Sequence, residues 1–359
     1  MAHHTPIPMQ QKVLSLEAKG GPLVVKQAEV PRPGPNEVLI RIEAAALSPG
    51  DWRIYALGKL VRSYPAIHGF DAAGVVTEVG SEVKDHATGD RVMCESYYDV
   101  ATGELRGAFQ QHIAVPSVYV AKIPENLAFE EAATIPSSFG TAALPLYNDA
   151  EGASSARLLA PWEEGGKGKY TGKAALILGG ASSVGQYVIQ LARLSGFSTI
   201  VTTASLGNAD FLKSLGATHV LDRQLPSEKL VHDACGVAGG PFDLVYDAVA
   251  NEETLAAGYR ATACESDFVY VLPNPIPGAD ESSKKRLHFA NGLYTAPVNQ
   301  AAGRRMLAKL PGLLERGDIK PNRPEVLPGG LDGVLAGLER LGRNQVSGVK
   351  LVVRPQETE

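Results

Sequence analysis

The chain of 359 residues carries 34 Lys and Arg against 39 Asp and Glu, a net charge of −5, with 44% apolar residues. That length allows two domains with full cores, and mild acidity without a basic run argues against nucleic acid or an anionic membrane as partner. No apolar stretch approaches a membrane span and Met1-Ala2-His3-His4-Thr5 does not read as a signal peptide, so a cytoplasmic location is expected. Cys94, Cys235 and Cys264 lie too far apart for a disulfide framework or an all-cysteine zinc site, and each reads as a buried free thiol.

From Gln11 to about Ile123 short apolar segments alternate with Pro and Gly punctuation: Leu23–Val25, Glu37–Ile42, Gly74–Val79, Arg91–Met93 and Gln111–Val115. Such even spacing predicts a small barrel or curled sheet. Helical patterns follow over Glu125–Ala133 and Thr141–Tyr147, and the polar stretch Asn148–Gly172 reads as an insertion or surface loop.

The strand Ala174–Leu178 then runs into Gly179-Gly180-Ala181-Ser182-Ser183-Val184-Gly185 and a helix. Val184, Tyr187, Val188, Leu191 and Ala192 share one face of that helix, Gln186, Gln190 and Arg193 the other, and Gly196 ends it. Strand, glycine turn and helix in this order make a phosphate cradle, because glycine lets the backbone approach a ligand and the helix start offers unpaired N–H groups. The match to G-x-G-x-x-G is imperfect, with Ser182 at the middle glycine, and a plain glycine-rich connection is the competing reading. Alternating units follow: strands Thr199–Thr202, His219–Leu221, Phe242–Asp247 and Phe268–Leu272, with helices at Asp210–Leu215, Ser227–Cys235 and Glu252–Thr262. Regularity fails after Pro273 until a helix at Val298–Arg316, and Val349–Val353 is again a strand. No internal repeat is found.

Seven strings in this order resemble the medium-chain dehydrogenase/reductase superfamily over nearly the whole chain: Ser48-Pro49-Gly50-Asp51, Pro65 to Gly74, Gly89-Asp90-Arg91-Val92, Gly107-Ala108-Phe109, Ala132 to Pro136, Gly180 to Gly185 and Ser347 to Val352. The resemblance implies an α/β fold with a GroES-like β-barrel catalytic domain (1–140 and 299–359) and a Rossmann doubly wound parallel sheet (141–298). The nicotinamide is then expected in the cleft between them. In zinc-dependent members the catalytic metal sits on Cys, His and Cys; those positions are about Ser48, Phe70 and Ser137 here, and the four-cysteine lobe holds only Cys94. Neither zinc is expected. The zinc-independent branch remains: quinone oxidoreductases, 2-enoyl reductases and, closest, the trans-acting enoyl reductases of fungal secondary metabolism, which the segment Lys320 to Leu331 resembles most.

At the end of the second Rossmann strand, where NAD enzymes keep an acid, Thr202 to Asn208 has none. This points to NADPH, with Ser205, Asn208 and Arg223 on its 2′-phosphate; a neutral turn with indifferent cofactor choice is the alternative. By resemblance Pro49, Asp51, Gly180, Ala181, Ser182, Ser183, Val184, Gly185, Val249, Leu272 and Ser347 also border the cofactor. Asp247 suits either a ligand contact or a strand-end cap.

The implied chemistry is hydride transfer to a polarised C=C of an enone, enoyl thioester or quinone. Where quinone oxidoreductases keep a tyrosine this chain has Arg53, which can stabilise an enolate but not protonate one. Tyr55 is the proton-donor candidate, with bulk water as the alternative. Thr141, Ser137 and Ser138 are expected along the nicotinamide side, with helix N-capping a competing role for the serines. His68 and His112 read as structural. Pro273–Pro297, with Phe289, Leu293 and Tyr294, and Val61–Tyr64 are expected to border a small-molecule substrate that is free or bound to a carrier or CoA. The protein is read as monomer or homodimer. A rival of another class is a dehydrogenase scaffold that binds cofactor as a sensor or non-redox pathway protein.

Overall fold

The computed structural model describes residues 7–280 and 282–359; the N-terminal residues read for a leader lie outside them. The first half builds sheets from β1 (Gln10–Leu16), β2 (Leu23–Glu29), β3 (Glu37–Ala46), β4 (Ala66–Ile67), β5 (Asp71–Val79), β6 (Arg91–Glu95), β7 (Tyr97–Tyr98), β8 (Leu105–Arg106), β9 (His112–Pro116) and β10 (Val120–Lys122). Helix α1 (Pro49–Leu57) interrupts them, and α2 (Phe129–Ala133) and α3 (Pro136–Tyr147) follow.

The α/β half runs β11 (Ala174–Leu178), α4 (Ser183–Ser195), β12 (Thr199–Ala204), α5 (Ala209–Leu215), β13 (His219–Asp222), α6 (Ser227–Ala238), β14 (Phe242–Asp247), α7 (Glu252–Ala261), β15 (Thr262–Tyr270) and β16 (Arg286–Phe289). The chain returns through α8 (Gln300–Glu315), β17 (Pro324–Val326), α9 (Val334–Gly342) and β18 (Lys350–Val353).

The return strands β18 and β17 complete the seven-stranded sheet β10-β6-β5-β3-β18-β17, in which β9 also pairs with β3. The second half is a six-stranded sheet in the order β13-β12-β11-β14-β15-β16, parallel throughout, which is the doubly wound order with its switch point beside β11. All five residues of β11 are buried, as a strand covered on both faces requires. Phe139 of α3 meets Tyr187 of α4 edge to face at 5.8 Å, so one apolar cluster runs from the barrel side into the parallel sheet. Residues 140 and 141 lie inside α3, which bonds the barrel at its start and α4 near its end, where Tyr147 Oη is 2.7 Å from Ser195 Oγ.

The structure departs from the sequence reading at several places. Helix α1 forms where no helix was assigned: Ser48 caps it, its N–H donating to Asp51 Oδ2 at 2.7 Å, with Pro49 in the first turn. Helix α9 and strand β16 form where no regular element was expected. Two of the three residues on the polar face of α4 are buried, Gln186 and Gln190 being 0% and 1% exposed because the returning chain lies against them, while Arg193 is exposed as expected. The 148–172 insertion is pinned rather than loose: Trp162 packs 5.1 Å from the Tyr147 ring, and Tyr170 stacks 5.3 Å from Phe197. Of the three cysteines only Cys94 is buried; Cys235 is intermediate and Cys264 exposed, the latter in the bulge where β15 slips against β14 between Thr262 and Asp267. Among the described residues no helix is long and apolar enough to cross a membrane.

Candidate active site

The glycine turn lies between β11 and α4, at the carboxyl edge of the parallel sheet. Gly179 takes φ +80°, and a Cβ on Gly180 or Gly185 would collide with the Thr202 hydroxyl or the Gly179 carbonyl, so both must lack side chains. Ser182 caps α4, its Oγ accepting from Gly185 N at 3.0 Å. Thr203 holds the turn on β12 by accepting from Gly179 N at 3.0 Å through Oγ1 and from Gly180 N at 3.0 Å through its carbonyl. The N–H groups of Ser183 and Val184 begin α4 with no acceptor among the described residues. This cradle fits a dinucleotide pyrophosphate: open backbone, orphan donors and a helix start.

Residues predicted for the cofactor gather here in part. Val249, 39% exposed, lies against Gly179. Ser347 is exposed and its Oγ accepts from Asn208 Nδ2 at 3.2 Å; the neighbouring Gly348 N donates to Ala181 O at 3.1 Å. Ser205 is half-buried at the end of β12, and Leu272 follows β15. Arg223 is exposed just past β13; no contact among the described residues joins its side chain to Ser205 or Asn208. Asp247 is a strand-end cap, Oδ1 accepting from Val249 N at 2.9 Å and Ala250 N at 2.8 Å, and burial raises its carboxyl above the usual range.

Around the expected metal positions the donors are spent on one another. Ser48 Oγ donates to Asp51 Oδ2 at 2.8 Å, and Ser137 donates to Asp71 through both N (2.6 Å) and Oγ (2.5 Å). Lys350 Nζ closes the network at 2.6 Å from Asp71 Oδ2 and 2.9 Å from Ser138 Oγ. Ser137 and Ser138 therefore tie α3 to the barrel; neither caps the helix, whose N-cap residue is Ile135. Phe70, between these groups in sequence, offers no donor. Burial pushes the Cys94 thiol up to about 12, away from the thiolate a metal needs. These residues do not fit a tetrahedral zinc. Among the described residues, no cluster of three His, Cys, Asp or Glu side chains converges as a metal site.

On α1, Asp51 is buried while Pro49 is exposed; Asp51 serves the cap rather than facing outward. Arg53 is half-buried, desolvation lowers its pKa, and it has no acidic partner among the described residues. Tyr55, Val61, Tyr64 and Leu293 pack with Leu16, Ile54 and Phe70, which brings the two expected substrate-bordering segments together as an apolar wall. Thr141, the remaining catalytic candidate, donates through Oγ1 to Ser137 O at 2.8 Å, while Tyr246 Oη donates to Thr141 O at 2.6 Å. Tyr294 is wholly interior, not at a rim, with N donating to Glu95 Oε2 at 3.0 Å and Oη to Pro136 O at 3.1 Å. His68 and His112 are buried, His68 Nδ1 standing 3.8 Å from Asp51 Oδ1 without a hydrogen bond.

Sequence reasoning missed Asp71, Lys350 and Glu95. Burial drives the Glu95 carboxyl well above the usual range. Its one sequence signal was an acid directly after the apolar run Val92-Met93-Cys94. A hollow of about 610 Å³, lined by Arg32, Arg62, Arg106 and Glu37, takes in Val61 of the expected substrate border but none of the candidate catalytic or cofactor residues. Its acids and bases largely pair with each other, Arg106 with Glu37 and Glu104 among them, and no feature there supplies redox chemistry.

Residues 34–125 match the family described as alcohol dehydrogenase GroES-like domain, and residues 183–285 that described as zinc-binding dehydrogenase. The chain is 35% identical to trans-enoyl reductase himH of Aspergillus japonicus, covering 90% of this chain and 91% of that one. It is 32% identical to 2-methylene-furan-3-one reductase of Solanum lycopersicum, over 97% and 80% of the respective chains. An alcohol dehydrogenase superfamily protein from Novosphingobium aromaticivorans superposes with a TM-score of 0.77 at 26% identity, covering 95% and 99%.

Proposed function

The chain belongs to the medium-chain dehydrogenase/reductase superfamily, and we propose that within it the protein is an NADPH-dependent, zinc-independent reductase of a C=C bond conjugated to a carbonyl. The observation that carries this reading is the closure of the metal positions: Ser48 and Ser137 are hydrogen-bonded to Asp51 and Asp71, and Phe70 has no donor. Without a Lewis acid, a simple alcohol or aldehyde has lost its usual activation, whereas an enone needs only a group that stabilises enolate charge. The names of both relatives, an enoyl reductase and a reductase of a methylene-furanone, support the same bond type.

In this reading the turn 179–185 and the first N–H groups of α4 hold the pyrophosphate. Ser205, Asn208 and Arg223 face the 2′-phosphate, and Pro49, Val249, Leu272 and Ser347 border the rest, with Asp51 capping the helix that carries Pro49. Bound there, NADPH supplies the hydride. Arg53 offsets charge developing on the substrate oxygen; its lack of an acid partner leaves its full charge for that purpose. Tyr55 or water returns a proton to the α carbon. The apolar wall of Tyr55, Val61, Tyr64 and Leu293 suits a hydrophobic substrate of secondary-metabolite type, free or on a carrier or CoA thioester.

The test is incubation with NADPH and a panel of enones, quinones and enoyl thioesters while nicotinamide absorbance is followed. Oxidation with any conjugated substrate supports the assignment. Intact NADPH binding with silence across the panel supports instead a scaffold that binds cofactor without turnover, a reading favoured by Arg53 in place of a tyrosine.

A further inference from the structure

The returning chain is laid along α4 by paired amides. Gln190 Nε2 donates to Lys320 O at 3.2 Å while Lys320 N donates to Gln190 Oε1 at 2.8 Å. One turn nearer the start of α4, Asn322 Nδ2 donates to Gln186 Oε1 at 2.9 Å and to Ser183 O at 3.3 Å, and Asn322 N donates to Tyr187 Oη at 3.2 Å. This ladder is why both glutamines are buried, and it delivers the next residue, Arg323, beside the glycine turn.

Arg323 is exposed yet fixed. Its Nε donates to Gly348 O at 3.1 Å and its guanidinium carbon stands 3.8 Å from the centre of the Phe211 ring. Gly348 is itself bonded to Ala181 of the turn, so this edge of the guanidinium is anchored to the cradle. Arg323 Nη2 and Asn208 Oδ1 both lie within 3 Å of the point where a Cβ on Gly348 would sit. A side chain at residue 348 would push both of them aside. Both Nη groups lack an acceptor among the described residues, and no carboxylate pairs with them there.

We propose that Arg323 binds the 2′-phosphate of NADPH together with Ser205 and Asn208, an inference that rests on the NADPH reading above. A guanidinium stacked on an aromatic ring, with one edge hydrogen-bonded, presents its remaining N–H groups in a fixed plane, the geometry that takes a phosphate through two parallel bonds. Little rotamer freedom is left to lose on binding. Arg323 immediately precedes β17 of the barrel sheet, whereas Asn208 and Phe211 belong to the parallel-sheet half, so the phosphate joins the two halves of the molecule. Arg223, the cation expected from sequence, has no comparable anchor.

The experiment is calorimetric titration of the full chain with 2′,5′-ADP and with 5′-ADP, which lacks the 2′-phosphate. Wild type is expected to prefer 2′,5′-ADP. Arg323→Met should weaken 2′,5′-ADP by about 10- to 100-fold, the range of a charge-assisted pair, and leave 5′-ADP unchanged, while Arg323→Lys keeps part of the preference. Retained preference in Arg323→Met overturns the inference, and so does equal weakening of both ligands, which makes Arg323 a pyrophosphate anchor or a structural residue. Wild type that fails to distinguish the ligands overturns the NADPH reading itself, and the inference with it.

Discussion

Lys350 Nζ and Asp71 Oδ2 meet 2.6 Å apart with both side chains about 1% exposed or less, joining the last strand of the chain to the start of β5. Ser137 and Ser138 at the start of α3 share this pair, so the ion pair fixes the helix that links the barrel to the parallel sheet. The interior cation beside Asp71 and Ser138 is thus a lysine, carried by the chain itself.

A buried pair broken on one side leaves an uncompensated charge. Lys350→Met should therefore lower stability by about 3–5 kcal/mol, and Asp71→Asn/Lys350→Met should recover most of that loss. Denaturant midpoints of wild type, single and double variants decide it. A double variant no more stable than Lys350→Met alone refutes the pairing account.

Purified protein should hold no stoichiometric zinc, and a chelator should leave turnover intact. Elemental analysis giving one or two zinc ions per chain would contradict the placement of Phe70 and Ser137 at closed metal positions.

The parallel-sheet half was legible because its signals are local: the glycine turn, the 3.6-residue face of α4 and strands bounded by turn residues. Helix α1 went unread, although Ser48, Pro49 and Asp51 carry the signal of a capping box with proline in the first turn. What could not be read were pairings across long sequence separations. Asp71 with Lys350, Gln186 with Asn322 and Asn208 with Ser347 become neighbours only once the last strand enters the barrel sheet. For the same reason Gln186 and Gln190 looked like a solvent face: helical periodicity cannot tell a solvated amide from one bonded to another chain segment.

Burial and the neighbouring Arg41 hold the His112 imidazole at about 4 in the folded chain. The unfolded chain, with His near 6.5, then binds the extra proton between about pH 4 and 6.5. This contribution to stability is complete above about pH 6.5 and is lost as pH falls through the window. His112→Leu should flatten that part of the stability profile; urea unfolding of both proteins at pH 7.0 and pH 5.0 measures it. An unchanged difference between the two pH values rules out His112 as the source.

Ser205 stands at the end of β12, where a carboxylate would accept from a ribose hydroxyl and repel a 2′-phosphate. Ser205→Asp is expected to reverse a preference for NADPH into one for NADH, read by titrating both cofactors. Equal affinities in wild type would remove the basis of the phosphate argument before any variant is made.

The proposed chemistry turns on Arg53. It sits in α1 two residues past Asp51, half-buried, with desolvation acting against its charge and no acidic partner among the described residues. A guanidinium kept there unpaired is held at an energetic disadvantage that a developing anion relieves, so its interaction should be stronger in the transition state than in the ground state. The Thr141 hydroxyl is engaged with Ser137 O, whereas the Arg53 guanidinium has no such partner. Arg53→Met should accordingly lower kcat by about 10²- to 10³-fold, the scale of removing one oxyanion donor, with NADPH affinity nearly unchanged. Arg53→Lys should recover part of kcat, because the charge remains although its planar fork is lost. Single-turnover rates with the substrate found in the panel, set beside NADPH titrations of the same variants, separate the two roles. If NADPH affinity collapses in Arg53→Met while the single-turnover rate holds, Arg53 is a cofactor anchor, and the group that polarises the substrate carbonyl lies elsewhere in the cleft.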